Sequence, residues 1–141
     1  METFFSIANA LVLPQWLLMI FAPRWRGTAW LVQSYSVPVL LAIMYVYFLF
    51  SGSDSLDFRS FSTLAGVKKL FATGGDAAVL AGWIHYLAFD LVAGSVVLRD
   101  AQAKAIPHGW VVLPLLFCFM LGPVGLLLYW VVRTIKTQKL T

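Results

Sequence analysis

The stretch AVLAGWIHYLAFDLVAGSVVL, Ala78 to Leu98, decides the fold. A bilayer core takes about 20 apolar residues per helix, and this run has that length with one carboxylate, Asp90, and one imidazole, His85. Three further apolar runs, at about 4–22, 30–50 and 110–132, flank it. Together they fill a chain of 141 residues that is 61% hydrophobic and 11% charged, with a mean hydropathy of +0.86. A soluble domain carries about 25% charged residues, and a chain this small leaves much of its surface facing solvent. The sequence therefore reads as an all-α integral membrane protein. Its expected form is one domain over 1–141, a four-helix bundle made of two antiparallel hairpins.

The connections refine this picture. Residues 23–29 and 99–109 are short, as hairpin turns require. The middle connection, 51–77, is too long for a turn, and it places Phe58, Phe61, Leu64, Ala65 and Phe71 at helical spacing, with Lys68 and Lys69 elsewhere. That pattern predicts a short interfacial amphipathic helix over 57–73, capped by Asp54, Ser55 or Asp57 and ended at Gly74-Gly75. The net charge of +4 comes from basic residues between apolar runs. They are topology signals, and no nucleic-acid partner is expected. With both termini on one face, that face holds Arg59, Lys68, Lys69, Arg133, Lys136 and Lys139, and the other holds Arg24, Arg26, Arg99 and Lys104. The count favours cytoplasmic termini, whereas Glu2 before the first helix and two arginines after it favour the reverse. The single Cys118 excludes an intramolecular disulfide and a cysteine zinc site, and no metal is expected.

Within the third run, Asp90 lies about 3 Å past the middle and His85 about 4.5 Å before it at the helical rise. An ionisable group at that depth must face protein or trapped water. Advancing about 100° per residue puts Leu80, Trp83, Ile84, Leu87, Leu91 and Leu98 on one side, expected to meet lipid. His85, Phe89, Gly82, Ala93, Tyr86 and Asp90 share the other side, expected to face the bundle. Tyr86 and Asp90 stand at hydrogen-bonding spacing. Asp90, His85 and Tyr86 are the candidate catalytic residues, with a purely structural polar role as the alternative.

Each other span contains proline: Pro14, Pro38, and Pro114 with Pro123. Interior prolines kink helices and open cavities. Candidate ligand-binding residues are Gln15, Trp16, Trp83 and Phe89, together with Arg24, Trp25 and Arg26, whose guanidinium groups flank an indole at a membrane boundary. Lipid anchoring is the alternative for that triplet. Two histidines at different depths disfavour a bis-histidine haem, while haem or chlorophyll ligation by His85 alone stays open.

Taken as a set, several segments resemble the abscisic-acid-deficient-four-like family of small membrane proteins. They are Leu13-Pro14-Gln15-Trp16, Ala22-Pro23-Arg24-Trp25-Arg26, Gly82 through Leu91, Ile106-Pro107-His108 and Leu121 through Tyr129. The resemblance implies a link to carotenoids, since plant members are associated with making neoxanthin from violaxanthin. The chain has no long plastid-type extension ahead of its first helix, which looks like a prokaryotic or minimal member in an inner or photosynthetic membrane. On this reading the partners are the bilayer and a lipophilic molecule such as a bound carotenoid. The activity, if enzymatic, is a redox-neutral carotenoid isomerisation with Asp90 as acid and His85 as base or its orienting partner. The competing reading is a non-enzymatic pigment-binding or accessory subunit of a larger complex, photosynthetic or homo-oligomeric. A proton or small-solute transporter is a third, thinner reading, because no inverted repeat is present.

Overall fold

A computed structural model describes residues 1–51 and 58–137. Its elements are α1 (Glu2–Phe21), α2 (Arg26–Ser34), α3 (Ser36–Ser51), a 3-10 turn (Phe58–Ser62), α4 (Leu64–Thr73), α5 (Gly75–Ala103), α6 (Gly109–Leu121) and α7 (Pro123–Thr137). Three segments are long and apolar enough to cross a membrane: α1, α2 with α3, and α5. The second of them is interrupted at Tyr35, which adopts the left-handed region at φ 52°. Pro38 falls in the first turn of α3, where its missing N–H breaks no helical bond. It starts a helix instead of kinking one.

α5 is the hub, packed against α1, α3, α4, α6 and α7. This overturns much of the expected sidedness, although Asp90 is buried and Trp83 exposed as expected. Leu80, Ile84, Leu87, Leu91 and Leu98 are buried in the core, whereas His85 and Phe89 are exposed. The physical reason is that a helix with neighbours on most sides buries its widest apolar arc among them, leaving lipid only a narrow strip. Gly94 lets α1 approach α5 closely, since a Cβ there would run into the Trp16 indole. Gly94→Leu is therefore expected to push α1 off α5 and to destabilise the fold by about 1–3 kcal/mol, the usual range for overpacking. Thermal unfolding in detergent checks this.

The run at 110–132, expected as one spanning helix, is two helices. α6 ends at Leu121, Gly122 takes φ 23° and ψ −79°, and α7 begins at Pro123. The chain then turns back on itself. The Lys136 ammonium sits 3.8 Å from the centre of the Trp110 ring, although one continuous helix would hold those residues about 39 Å apart. Likewise Tyr129 Oη donates to Asp100 Oδ2 at 2.6 Å, and Arg133 Nε pairs with the same oxygen at 3.3 Å. Asp100, near the end of α5, also pairs with Lys104 at 3.2 Å. α6 and α7 thus form a helical hairpin whose tip, Gly122-Pro123, reaches the middle of α5. Three long helices with this hairpin replace the expected bundle of two hairpins, and α7 ends beside the turns at 22–25 and 104–108. Those turns are tied together as well: Gln102 Nε2 donates to the Pro23 carbonyl at 2.8 Å, and His108 Nε2 lies 2.8 Å from the Ile20 carbonyl.

A short helix, α4, stands where the interfacial helix was expected, over fewer residues. Thr63 caps α4 by accepting from the Gly66 N–H at 3.0 Å, in place of Asp54, Ser55 or Asp57, of which all three lie outside the described residues. α4 buries none of its residues. It rests on α5 near the junction at Gly74-Gly75 and stays largely accessible.

Candidate functional site

Asp90 projects from the centre of α5 onto the hairpin tip. It is 7% exposed, and its Oδ2 is buried without a hydrogen-bond partner. A Cβ at Gly122 would fall on Asp90 Oδ1, so the carboxylate occupies the space that glycine leaves. One helical turn earlier, Tyr86 was expected to bond Asp90. Its hydroxyl is within hydrogen-bonding reach of Asp90, as expected, and donates to the Met120 carbonyl at 2.6 Å, tying α5 to the last turn of α6. Asp90 and Tyr86 thus flank the place where the hairpin turns.

Beside them a groove of about 640 Å³ runs between α1, α5 and α6. Trp83 and Tyr86 form its wall, their rings stacked at 5.6 Å, and Trp83 Nε1 donates to Asn9 Oδ1 at 3.3 Å. Phe119 and Met120 line the opposite side. Met120 is 63% exposed, so the groove is open to the outside of the protein.

His85 points elsewhere, about 140° around the helix from Asp90 at the helical advance per residue. Its ring meets Tyr45 at 5.5 Å and Phe89 at 4.7 Å. It lines a second, smaller cavity of about 210 Å³ enclosed by α3, the 3-10 turn, α4 and α5. The two ionisable residues of α5 therefore serve different chambers. His108 is engaged with Ile20 near the turns, which leaves His85 as the accessible imidazole for any axial ligation.

The remaining candidates divide by depth. Gln15 and Trp16 belong to the core: Gln15 Nε2 donates to Ser95 Oγ at 3.1 Å, and Trp16 packs on Gly94 and Phe119. Gln15 Oε1 is buried without a partner. Arg24, Trp25 and Arg26 lie at the α1–α2 turn, beyond the C-terminal end of α1 and away from Asn9 and the groove; Trp25 is exposed there. Sequence reasoning missed Gly122 and Met120 as site-forming residues, and Phe71 and Gly82 as shared walls of the two chambers. The Gly122-Pro123 pair inside an apolar run was the available signal.

These features define a class: a small apolar α-helical protein with a buried, incompletely bonded acid beside an aromatic groove open to its surroundings. The chain belongs to the ABA4-like family, described as ABA DEFICIENT 4-like, which matches residues 3–129. It is 33% identical to Protein ABA DEFICIENT 4, chloroplastic, of Arabidopsis thaliana, over 93% of this chain and 60% of that protein. The chain thus spans about three fifths of the length of that relative. No solved structure matches.

Proposed function

We propose that this chain is a multi-pass membrane protein acting on a carotenoid, and that the reaction is a redox-neutral isomerisation of an epoxy-carotenoid. Membership of the ABA4-like family supports the substrate class. The observation that carries the chemistry is Asp90: nine-tenths buried, with a free Oδ2, next to a groove walled by aromatic rings. Opening the epoxide to an allene breaks one C–O bond, adds a proton to the oxygen and removes a proton from carbon. Asp90 lines neither chamber, so a protonated Asp90 serves the oxygen through Tyr86, which lines the groove and gives up its bond to the Met120 carbonyl in doing so. The carbon that loses its proton lies within two bonds of that oxygen, so its base acts in the same groove, and His85, in the other chamber, holds the polyene and takes no part in this proton transfer. General acid–base assistance of this kind contributes about 10²–10⁴-fold.

Expression in cells that accumulate an epoxy-carotenoid tests the proposal. Wild type is expected to convert the pigment, and Asp90→Asn to lower conversion by about 10²-fold at equal protein yield. Unchanged pigment with correctly inserted wild-type protein overturns the catalytic reading. Pigment retained on the purified protein but not converted supports a binding or accessory-subunit role. A Soret band that disappears in His85→Ala supports haem or chlorophyll ligation.

A further inference from the structure

Phe71 and Gly82 line both chambers. Phe71, on α4, lies over Gly82 of α5, where an added Cβ would approach the ring edge to 3.0 Å. On one side of this crossing lies the chamber with His85 and Tyr45, and on the other the groove with Trp83, Tyr86 and Asn9. The described lining residues of both include no Asp, Glu, Lys or Arg, and their polar groups stand beyond the crossing on either side. α4 contributes no buried residue to the fold, and Phe71 itself is 46% exposed. A helix seated so lightly can lift without disturbing the core.

We infer that the two chambers are the halves of one site, and that a single elongated, uncharged polyene with polar ends passes under Phe71 across Gly82. This rests on the carotenoid reading and deepens it. The crossing explains how residues on different sides of α5 serve one ligand: Tyr86 meets it in the groove and His85 in the smaller chamber. Gly82 provides the floor, because any side chain there would close the passage. Phe71 acts as the lid. The walls are apolar and aromatic, as a conjugated chain requires, and an anionic lipid headgroup would find no lysine or arginine between them.

The experiment uses the full chain in detergent or nanodiscs with two probes, a full-length dihydroxy-carotenoid and a retinoid alcohol of about half its length. Binding is read from the induced circular dichroism of the polyene band. Wild type is expected to bind one carotenoid per chain. Gly82→Leu is expected to weaken the carotenoid about tenfold or more, a cost of about 1.4 kcal/mol, and to weaken the retinoid, which fits one chamber and need not cross, much less. Phe71→Trp blocks the same crossing from a helix without buried residues and is expected to give the same selective loss, which separates occlusion from misfolding. Phe71→Ala is expected to speed carotenoid release. Equal carotenoid affinity in wild type, Gly82→Leu and Phe71→Trp overturns the crossing. So does equal loss of both probes, and so does an acyl lipid that the carotenoid fails to displace. Failure of wild type to bind either probe instead overturns the carotenoid reading itself.

Discussion

Gly122→Ala is expected to unfold the hairpin tip, and Asp90→Ala in the same chain is expected to restore part of the loss. Two separate costs meet at this position. Gly122 adopts φ 23°, where an L side chain is strained by roughly 1–2 kcal/mol. The added Cβ would also overlap the Asp90 carboxylate, and overpacking of a filled site costs about 1–3 kcal/mol. Removing the Asp90 side chain relieves the second cost and leaves the first. The pair should therefore be non-additive by about 1–3 kcal/mol, as expected for side chains in contact. Cys118 supplies the readout: it is the chain's single thiol, fully buried and packed against Gly125 close to the tip. Its reaction with a thiol-specific dye on heating should begin at lower temperature in Gly122→Ala and move back toward the Asp90→Ala value in the double variant. Additive shifts would mean that Asp90 does not occupy the space beside Gly122.

What the sequence made legible follows from what each signal measures. Apolar run length located α1, α5 and the α2–α3 segment, because the number of residues needed to cross a bilayer depends on thickness alone. The depth of Asp90 and its burial followed in the same way. Sidedness did not, because angular position says which residues share an arc and not which arc has neighbours. Ile84 and Leu91 are as suited to lipid as to a core, and the helices packed around α5 drew them inward. His85 and Asp90 were grouped because a sector of about 140° looked like one face, yet that width separates two chambers. The fourth run failed for another reason. Its total length satisfies a span, but Gly122-Pro123 divides it into helices of 13 and 15 residues, each short of the roughly 30 Å core at 1.5 Å per residue. The polar residues Arg133, Thr134 and Lys136 at its end belong with the turns on α5's C-terminal side, a pattern that length alone does not register.

Folding the fourth run back reverses the expected position of the end of α7 and gives the largest all-or-none prediction. With α7 returning to the end of α5, Arg24, Arg26, Arg99, Lys104, Arg133 and Lys136 gather on one side, against Arg59, Lys68 and Lys69 on the side of Met1. Lys139 lies outside the described residues. The positive-inside rule places the richer side in the cytoplasm, which now agrees with the flanks of the first helix, Glu2 before it and two arginines after. The two signals that conflicted under the four-span reading thus become one. A hairpin that enters the membrane without crossing it must satisfy its own turn, because lipid offers no hydrogen bonds. The tip meets this demand locally. Pro123 has no N–H to satisfy, the Gly122 N–H donates to the Cys118 carbonyl at 3.1 Å, and the Met120 carbonyl accepts from Tyr86. A reporter fused to the C-terminus is therefore expected on the cytoplasmic side together with one inserted at the 22–25 turn, and a reporter ahead of Met1 on the opposite side. Finding both termini in one compartment would mean that the fourth run crosses the membrane, and it would remove the hairpin tip from beside Asp90. Asp100→Ala sharpens the test, because it releases Tyr129, Lys104 and Arg133 together. It should raise protease sensitivity of α7 from the cytoplasmic side while leaving the N-terminal reporter where it was.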